Sequence, residues 1–224
     1  MKSASRKVNS LSGCSIGIHW YIPSPVPKKS IKVPKSESLP MKEEQLRKIT
    51  IGRPKALNST IAIVDYNPVW RALFEVEAQR IRAALGERVL RIEHVGSTSV
   101  PGLAAKPIID IVLVIADTAK EATYVPALEA AGYILRIREP DWYEHRMFKG
   151  PDTNTNLHCF SDGCPEIERM LAFRDWLRVN EVDRLLYERT KRDLAAKTWK
   201  YVQNYADAKT AVVDEILSRA RNAS

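Results

Sequence analysis

The chain has 224 residues, 45% of them hydrophobic, and a formal net charge of +8 at pH 7. This length suffices for one domain with a sizeable core, alone or with an extension. No run approaches the roughly 20 apolar residues of a membrane-spanning helix, so we expect no membrane association. The 3 cysteines lack paired spacing, which argues against a disulfide framework and favours a reducing compartment, so we expect a cytoplasmic protein.

The positive charge is concentrated near the N-terminus. Residues 1–57 contain 12 Lys and Arg against 3 Asp and Glu, whereas residues 58–224 contain 23 against 24. The first segment is rich in Ser and Pro and lacks apolar periodicity, so we expect a disordered extension at 1–57 and one folded domain at 58–224. Because that domain is nearly neutral, the high net charge does not indicate that it binds nucleic acid.

Four elements are predicted in the first part of the domain. They are a helix at 68–84, strands at 89–95 and 107–115, and a helix at 118–131. The helices follow from apolar residues that recur near helical spacing, and Gly132 occupies the C-cap position of the second one. A Gly-Ser turn separates the two strands.

Three short strands and three helices follow. The strands are predicted at 133–138, 143–149 and 156–160, and the helices at 165–179, 182–197 and 201–221. Residues typical of turns separate the strands, so we expect them to be antiparallel neighbours. The order of elements indicates an α+β fold class, with a mixed, largely antiparallel sheet and a C-terminal helical layer.

The segment from His94 to Ile115 is the strongest indication of a functional site. It reads His-Val-Gly-Ser-Thr-Ser-Val-Pro-Gly-Leu-Ala-Ala-Lys-Pro-Ile-Ile-Asp-Ile-Val-Leu-Val-Ile. Gly96 and Ser97 are small enough to bring backbone N–H groups close to a phosphate. Asp110 is the only charged residue of the second predicted strand, and a buried carboxylate is costly unless it has a task.

This segment resembles the GrpB family, which is assigned to the nucleotidyltransferase superfamily with the polymerase-beta-like fold, and other segments of residues 60–220 match the family in the right order. The resemblance implies that Gly96 and Ser97 cradle phosphate groups. It also implies that Asp110 is a catalytic carboxylate and binds Mg²⁺. The superfamily usually has a second acid two positions further along the strand, where this chain has Val112, and this difference favours a non-catalytic role.

Further candidates lie on the predicted strands. Arg146 and Lys149 fall on opposite faces of one strand, so we treat them as competing phosphate contacts. His158 shares a face with Asn156 and is a candidate catalytic base or substrate-orienting residue, with a structural histidine as the alternative. Glu144 is a candidate third carboxylate, with a solvated strand charge as the alternative.

Two cations on the predicted C-terminal helices are also candidates. In continuous helices Arg174 and Lys209 would lie on mostly apolar faces, where an unpaired charge is costly unless a phosphate or a carboxylate neutralises it. We therefore predict that both contact phosphate, with snorkelling at the core edge as the alternative. Lys191 is a weaker case, for which snorkelling is favoured.

Two functions are consistent with these residues. The first is a Mg²⁺-dependent nucleotidyltransferase that binds a nucleotide or another phosphorylated small molecule. The second is a non-catalytic binding or folding-assistance module whose partner is an enzyme of CoA biosynthesis, because the family domain is fused to dephospho-CoA kinase in some proteins. The chain lacks a Gly-Lys-Ser/Thr phosphate loop and is therefore not that kinase itself.

Overall fold

The computed structural model describes residues 41–223, which contain a five-stranded sheet. The strands are β1 Arg91–Val95, β2 Ile109–Ile115, β3 Ile134–Glu139, β4 His145–Lys149 and β5 Thr155–Ser161. Their order across the sheet is β1-β2-β5-β4-β3. Strands β2 and β5 are parallel, and the other three neighbouring pairs are antiparallel, which confirms the mixed, largely antiparallel sheet.

Helices precede the sheet, connect its strands and follow it. They are α1 Glu43–Ile49, α2 Val69–Leu85, α3 Val125–Ala130, α4 Pro165–Val179, α5 Glu181–Ala195, α6 Val202–Asp207 and α7 Thr210–Asn222. Helices α4 to α7 form the predicted C-terminal helical layer. Within the described residues, no helix combines the length and the apolar character that a membrane crossing requires.

The alternation of side chains along β2 separates two cores. Ile111 packs in the larger hydrophobic cluster together with residues of α2 and α3. Val112 points the other way and packs against Ile167 and Leu171 of α4 in a second cluster. Asp110 has the same parity as Val112, so its carboxylate lies on the side of the sheet that the C-terminal helices cover.

The helix predicted at 118–131 is shorter than expected. It starts at Val125 and is preceded by a single 3-10 turn, with Pro126 in its first turn, where proline is well tolerated. Thr118 is buried and its hydroxyl lies 2.9 Å from that of Ser161, so this part of the chain is held against the end of β5 instead of continuing a helix.

The last predicted helix, 201–221, is divided into α6 and α7 by a break at Ala208 and Lys209. The two segments pack in different clusters. Tyr205 of α6 packs near Trp199, whereas Ile216 of α7 packs with Leu177 of α4. A straight helix would not direct both residues into these separate cores, which accounts for the break.

Residues 41–57, which we call the strap, correct the predicted boundary of the extension. Leu46 of α1 is buried, Thr50 forms an antiparallel bridge with Ile137 at the outer edge of β3, and the Leu57 N–H donates to the Lys200 carbonyl at 2.8 Å. The strap is ordered because it pairs with a sheet edge and buries one large apolar side chain. The expected disorder of residues 1–40 lies outside the described residues.

Candidate functional site

A cleft of about 710 Å³ opens on the Asp110 side of the sheet. Residues of β2, β4 and β5, of helices α4 to α7 and of the strap line it. The volume lies within the range of roughly 300–1,000 Å³ that is typical of small-molecule sites. The residues predicted from the sequence that line this cleft are Gly96, Ser97, Asp110, Lys149, His158 and Lys209.

Gly96 allows the turn after β1 to lie directly over Asp110. Its φ angle is +69°, a left-handed conformation that favours glycine. A Cβ atom at this position would lie 2.5 Å from Oδ2 of Asp110. Val95 is the register partner of Asp110, so the chain turns immediately beyond the carboxylate. Both the backbone conformation and the available space therefore require glycine here.

The parallel pairing of β2 and β5 determines the neighbours of Asp110. Asp110 lies opposite Asn156, whose side-chain amide donates to Oδ1 at 2.7 Å, and His158 Nε2 lies 3.8 Å from the same oxygen. Burial alone would raise the pKa of Asp110, but His158 in its protonated form, the Asn156 amide and the charge on Lys209 outweigh it and hold the pKa below its usual value. Asp110 is therefore an anion in the cleft.

Four lysines surround this single strand carboxylate, and none of them has a carboxylate oxygen within 4.0 Å among residues 41–223. They are Lys106, Lys149, Lys191 and Lys209. Lys149 Nζ donates to Asn156 Oδ1 at 2.6 Å, and Lys209 Nζ lies 4.7 Å from the centroid of the Tyr205 ring. These contacts orient the ammonium groups without neutralising their charge.

Burial lowers the pKa of three of these lysines. Burial and the charges of Lys149 and Lys209 lower the pKa of Lys106, and burial lowers the pKa of Lys149. Burial, followed by the charge of Lys209, lowers the pKa of Lys191 to about 7. Each shift means that the cleft disfavours the charged ammonium in the absence of a bound anion.

A chain of polar side chains leads from the edge strand β3 to Asp110. Glu139 Oε2 lies 2.7 Å from Nδ1 of His145, and Nε2 of His145 lies 3.0 Å from Nδ1 of His158. The His145 ring stacks on Phe160, with the ring centroids 4.8 Å apart. Burial lowers the pKa of His145 although the Glu139 carboxylate acts in the opposite direction, so His145 stays neutral.

His94, in contrast, has a structural role below the Gly96 turn. Its Nε2 lies 3.1 Å from the Thr98 hydroxyl, and that hydroxyl donates to the Ile108 carbonyl at 2.9 Å. Because the one hydroxyl proton is used in this way, His94 must donate from Nε2. Burial lowers the pKa of His94 to about 4, and its ring stacks on Phe74.

The structure places Arg146, one of the two alternative phosphate contacts, outside the cleft. Arg146 lies on the opposite face of β4 from Lys149 and is buried, with its guanidinium 2.5 Å from Glu121 and 3.2 Å from Glu144. Of the two alternatives, Lys149 lines the cleft. Glu144 lies in the turn before β4 and is paired with Arg146, so it does not supply a third carboxylate.

The structure also places Arg174 outside the cleft, paired with carboxylates. Its guanidinium donates to Glu93 at 2.7 Å, to Asp175 at 2.7 Å and to the His94 carbonyl at 3.1 Å. The charge is neutralised by a strand carboxylate and by the next residue of its own helix. The arginine of α4 that does line the cleft is Arg169, which the sequence did not single out.

The interpretation of Lys191 as a snorkelling residue is not supported. Its side chain is only 2% exposed, its Nζ donates to the Ala104 carbonyl, and it lines the cleft. Lys209 lines the cleft as well, although the helical argument that selected it fails because it lies in the break between α6 and α7.

Sequence reasoning missed several basic residues of the cleft. Lys106 is the only charged residue between Gly96 and Asp110, and this isolation within an apolar segment was a usable signal. Arg136 at the sheet edge and Lys55 of the strap also line the cleft. The sequence around these two residues contains no comparable signal. Lys55 was overlooked in addition because the strap was not expected to fold onto the domain.

The donor set does not fit a resident Mg²⁺ ion. Val112, at the position where the resemblance noted in the sequence would imply a second acid, is completely buried beneath α4 and does not line the cleft. Within the described part of the chain, no group of three or more His, Cys, Asp and Glu side chains could hold a metal ion. Asp110 is the one carboxylate that the strands contribute to the cleft, and the other two lining carboxylates, Glu166 and Asp207, do not group with it into a metal site, whereas Mg²⁺ requires several oxygen ligands.

Similarity to known proteins covers most of the chain. Residues 60–219 match the family described as GrpB protein. A UPF0157 protein of Halalkalibacterium halodurans is 60% identical over 185 residues, which cover 83% of this chain and 95% of that protein. A crystal structure of the conserved protein GrpB from Enterococcus faecalis matches with a TM-score of 0.64 and 33% identity, over 72% of this chain and 98% of that chain. A dephospho-CoA kinase of Mycolicibacterium paratuberculosis is 31% identical over 158 residues, which are 59% of this chain and 39% of that longer protein.

Proposed function

This chain belongs to the GrpB family, and from this premise we propose that its cleft binds a nucleotide or another phosphorylated small molecule. The observation that carries the proposal is a group of four cleft lysines for which residues 41–223 supply no carboxylate partner, Lys106, Lys149, Lys191 and Lys209. Burying unpaired charges is costly, and a multiply charged phosphate group would remove that cost through several charge-assisted hydrogen bonds at once.

Binding is better supported than metal-dependent nucleotidyl transfer. The transfer reaction needs carboxylates that hold Mg²⁺ against the phosphates, and the strand that carries Asp110 offers no second acid toward the cleft. The lysines neutralise phosphate charge without a metal. We therefore propose a phosphate-ligand-binding protein of the cytoplasm, where its free thiols Cys159 and Cys164 would stay reduced.

The similarity to part of a dephospho-CoA kinase supports one ligand class in particular. A domain that acts beside such an enzyme would meet adenine nucleotides and phosphorylated CoA precursors. We therefore propose ATP and dephospho-CoA as the first compounds to test, with pyrophosphate as the probe of the phosphate contacts alone.

The decisive experiment measures whether Asp110→Asn strengthens or weakens phosphate binding. Without a metal, the Asp110 carboxylate repels a bound phosphate, so the variant should bind ATP more tightly than the wild type, by roughly three- to ten-fold for one screened charge. With a bridging Mg²⁺, the same change would weaken binding. Titration calorimetry with ATP, in Mg²⁺ and in a chelator, distinguishes the two cases.

The proposal predicts that the wild type binds ATP in the chelator at least as tightly as in Mg²⁺, because the lysines themselves neutralise the charge of free ATP. The absence of ATP, dephospho-CoA and pyrophosphate binding under both conditions would refute a phosphate site. Binding that depends on Mg²⁺ and is lost in Asp110→Asn would instead establish the metal-dependent nucleotidyltransferase.

A further inference from the structure

We propose that His158 is a general base directed into the cleft, and that Glu139 and His145 are positioning residues that hold it in the tautomer with a free Nε2. This inference rests on the proposed function in one respect, since the proton that His158 accepts comes from a hydroxyl group of the bound phosphorylated ligand or from a water molecule beside it. The geometry of the histidine chain itself does not depend on the ligand.

The hairpin between β3 and β4 brings the positioning residues together. Glu139 and His145 are direct register partners at the end of this hairpin. The turn that joins them contains Tyr143 and Glu144 with φ angles of +55° and +51°, two consecutive residues other than glycine in the left-handed region. Such conformations are energetically unfavourable and persist where the surrounding structure requires them, often at functional sites.

The hydrogen-bonding roles along the chain follow from Glu139. A carboxylate can only accept, so Nδ1 of His145 carries the proton that is donated to Glu139. A neutral His145 then has a lone pair on Nε2, which can only accept, so Nδ1 of His158 carries the next proton. In neutral His158 the remaining lone pair is on Nε2, 3.8 Å from Asp110 Oδ1 and at the cleft.

The surroundings of Nε2 suit a group that gains a proton. When a hydroxyl of the ligand or a water attacks a phosphorus atom of the bound ligand, its O–H bond breaks and an N–H bond forms at Nε2, so that His158 becomes an imidazolium. The new O–P bond replaces the bond to the leaving oxygen of the phosphate, which departs with that electron pair. Asp110 on β2 and Glu166 on α4 face His158 and stabilise the positive charge, while His145 on β4 continues to accept from Nδ1. The Glu139 carboxylate, which accepts from Nδ1 of His145, stabilises the positive charge on the two rings from the other side of His145.

Packing prevents the rings from turning over. The His145 ring stacks on Phe160 and meets the neighbouring Trp142 edge-on, with ring centroids 4.8 Å and 5.2 Å away, and it is nearly parallel to the ring of His158. A flipped ring would place carbon atoms where the hydrogen-bonding nitrogens now lie. The tautomer is therefore determined by the fold before any ligand binds.

The test is nitrogen-15 NMR of the full-length protein with labelled histidine, which shows which ring nitrogen carries the proton. At a pH where the rings are neutral, His145 and His158 should both carry it on Nδ1. His94 should carry it on Nε2 and thus provides a reference for the other tautomer in the same spectrum. An Nε2–H tautomer for neutral His158 would overturn the inference.

Variants separate positioning from a general structural effect. His145→Gln keeps an oxygen that can accept from His158 and should preserve the His158 tautomer, whereas His145→Phe keeps the stacking with Phe160 but should abolish the tautomer preference. Glu139→Ala should weaken that preference, and Glu129→Gln, an exposed site on α3, should not change it. An unchanged His158 tautomer in both His145→Phe and Glu139→Ala would show that these residues do not position it.

Chemical reactivity gives an independent readout. Diethyl pyrocarbonate acylates a free imidazole nitrogen, so mass spectrometry should find modification of His158, with slower modification in His145→Phe and protection by ATP. Modification of His158 that ATP does not prevent would be consistent with His158 as the base and would contradict a phosphate site beside it. ATP binding combined with an unreactive His158 would retain the site and refute the base.

Discussion

Gly96 shows how the absence of one side chain shapes the cleft. The turn that follows β1 can approach Asp110 closely because no Cβ lies between them. The approach leaves Oδ1 of Asp110 available to Asn156 and His158. The residue thus links the shape of the backbone turn to the position of the cleft's strand carboxylate.

Gly96→Ala should lower the free energy of unfolding by roughly 1–3 kcal/mol and also abolish ATP binding, because the new Cβ displaces Asp110 and the φ angle is unfavourable for alanine. The matched control is Gly102→Ala. Gly102 has a similar φ of +76°, but a Cβ there would meet nothing within 4 Å. Denaturant unfolding and calorimetry measure both effects, and equal ATP affinity in the two variants would contradict the predicted clash.

Lys191 should make the stability of the ligand-free protein depend on pH. Its folded pKa of about 7 lies below the ordinary value of 10.5, so the unfolded state binds more protons between these two values and stability rises with pH there. The destabilisation is fully present below pH 7. Lys191→Met removes it, so the advantage of the variant over the wild type should shrink by roughly 1 kcal/mol per pH unit above about pH 7.

Urea unfolding of both proteins at about pH 7, 8 and 9 checks this prediction. The comparison between the two proteins cancels the titration of all other groups. A stability difference that stays constant over this range would show that Lys191 remains charged in the folded cleft.

At the residue scale, the sequence located Asp110 but was a poor guide to the cations. An isolated carboxylate in an apolar strand can be recognised from the sequence alone. Helical periodicity also showed that Arg174 faces inward, yet it could not show that Glu93 on a distant strand neutralises the charge. Lys191 was underrated for the same reason, because its buried position depends on packing against the loop that contains Ala104.

At the scale of elements, β4 separates a structural cation from a candidate phosphate contact. Successive side chains of a strand point to opposite faces, so Arg146 and Lys149, three positions apart, cannot both reach the cleft. The sequence stated this alternative correctly but could not resolve it. The choice between Arg146 and Lys149 depends on the position of Glu121, which lies on the far side of the sheet and binds Arg146.

Lys149→Met and Arg146→Met should therefore have opposite profiles. The first should weaken ATP binding by roughly 1.5–3 kcal/mol, typical of a lost hydrogen bond to a charged group, with little change in stability. The second should lower the free energy of unfolding and leave the affinity for ATP unchanged, because it breaks a buried ion pair outside the cleft. Calorimetry and urea unfolding of the same two variants test the assignment, which a reversed pattern would disprove.

Element boundaries were least predictable where neighbouring segments serve different cores. Residues 201–221 have a continuous helical pattern because α6 and α7 are both amphipathic. The break at Lys209 arises from Tyr205 and Ile216 packing in separate clusters, which is a tertiary effect. The parallel pairing of β2 with β5 is likewise absent from the local sequence, since it depends on how the intervening hairpin is placed in the sheet.

At the scale of the whole molecule, the α+β class and the order of elements were predictable, because most strands and helices are strongly patterned. The strap was not, since its contacts with the domain rest on Leu46 and on backbone pairing with β3. Polar composition describes how little apolar surface a segment can bury. It does not reveal an open sheet edge onto which the segment can dock.

Truncation should show that the strap belongs to the functional domain. A protein that begins at Met41 should bind ATP as the full chain does, because residues 41–223 contain the whole cleft described above. A protein that begins at Asn58 should lose roughly 2 kcal/mol of stability with the burial of Leu46, and it should bind ATP more weakly without Lys55. Unfolding and calorimetry compare the three proteins, and equal affinity in all of them would exclude the strap from the site.

The strap also bears on how ligand choice could diverge within the family. The region matched by the family begins at residue 60, so the strap lies outside it while still forming part of the cleft wall. The sheet, Asp110 and the histidines can therefore be inherited unchanged while this peripheral segment is replaced. Two relatives with the same inner site could in this way select different compounds, and grafting one strap onto another domain would be a direct route to altered selectivity.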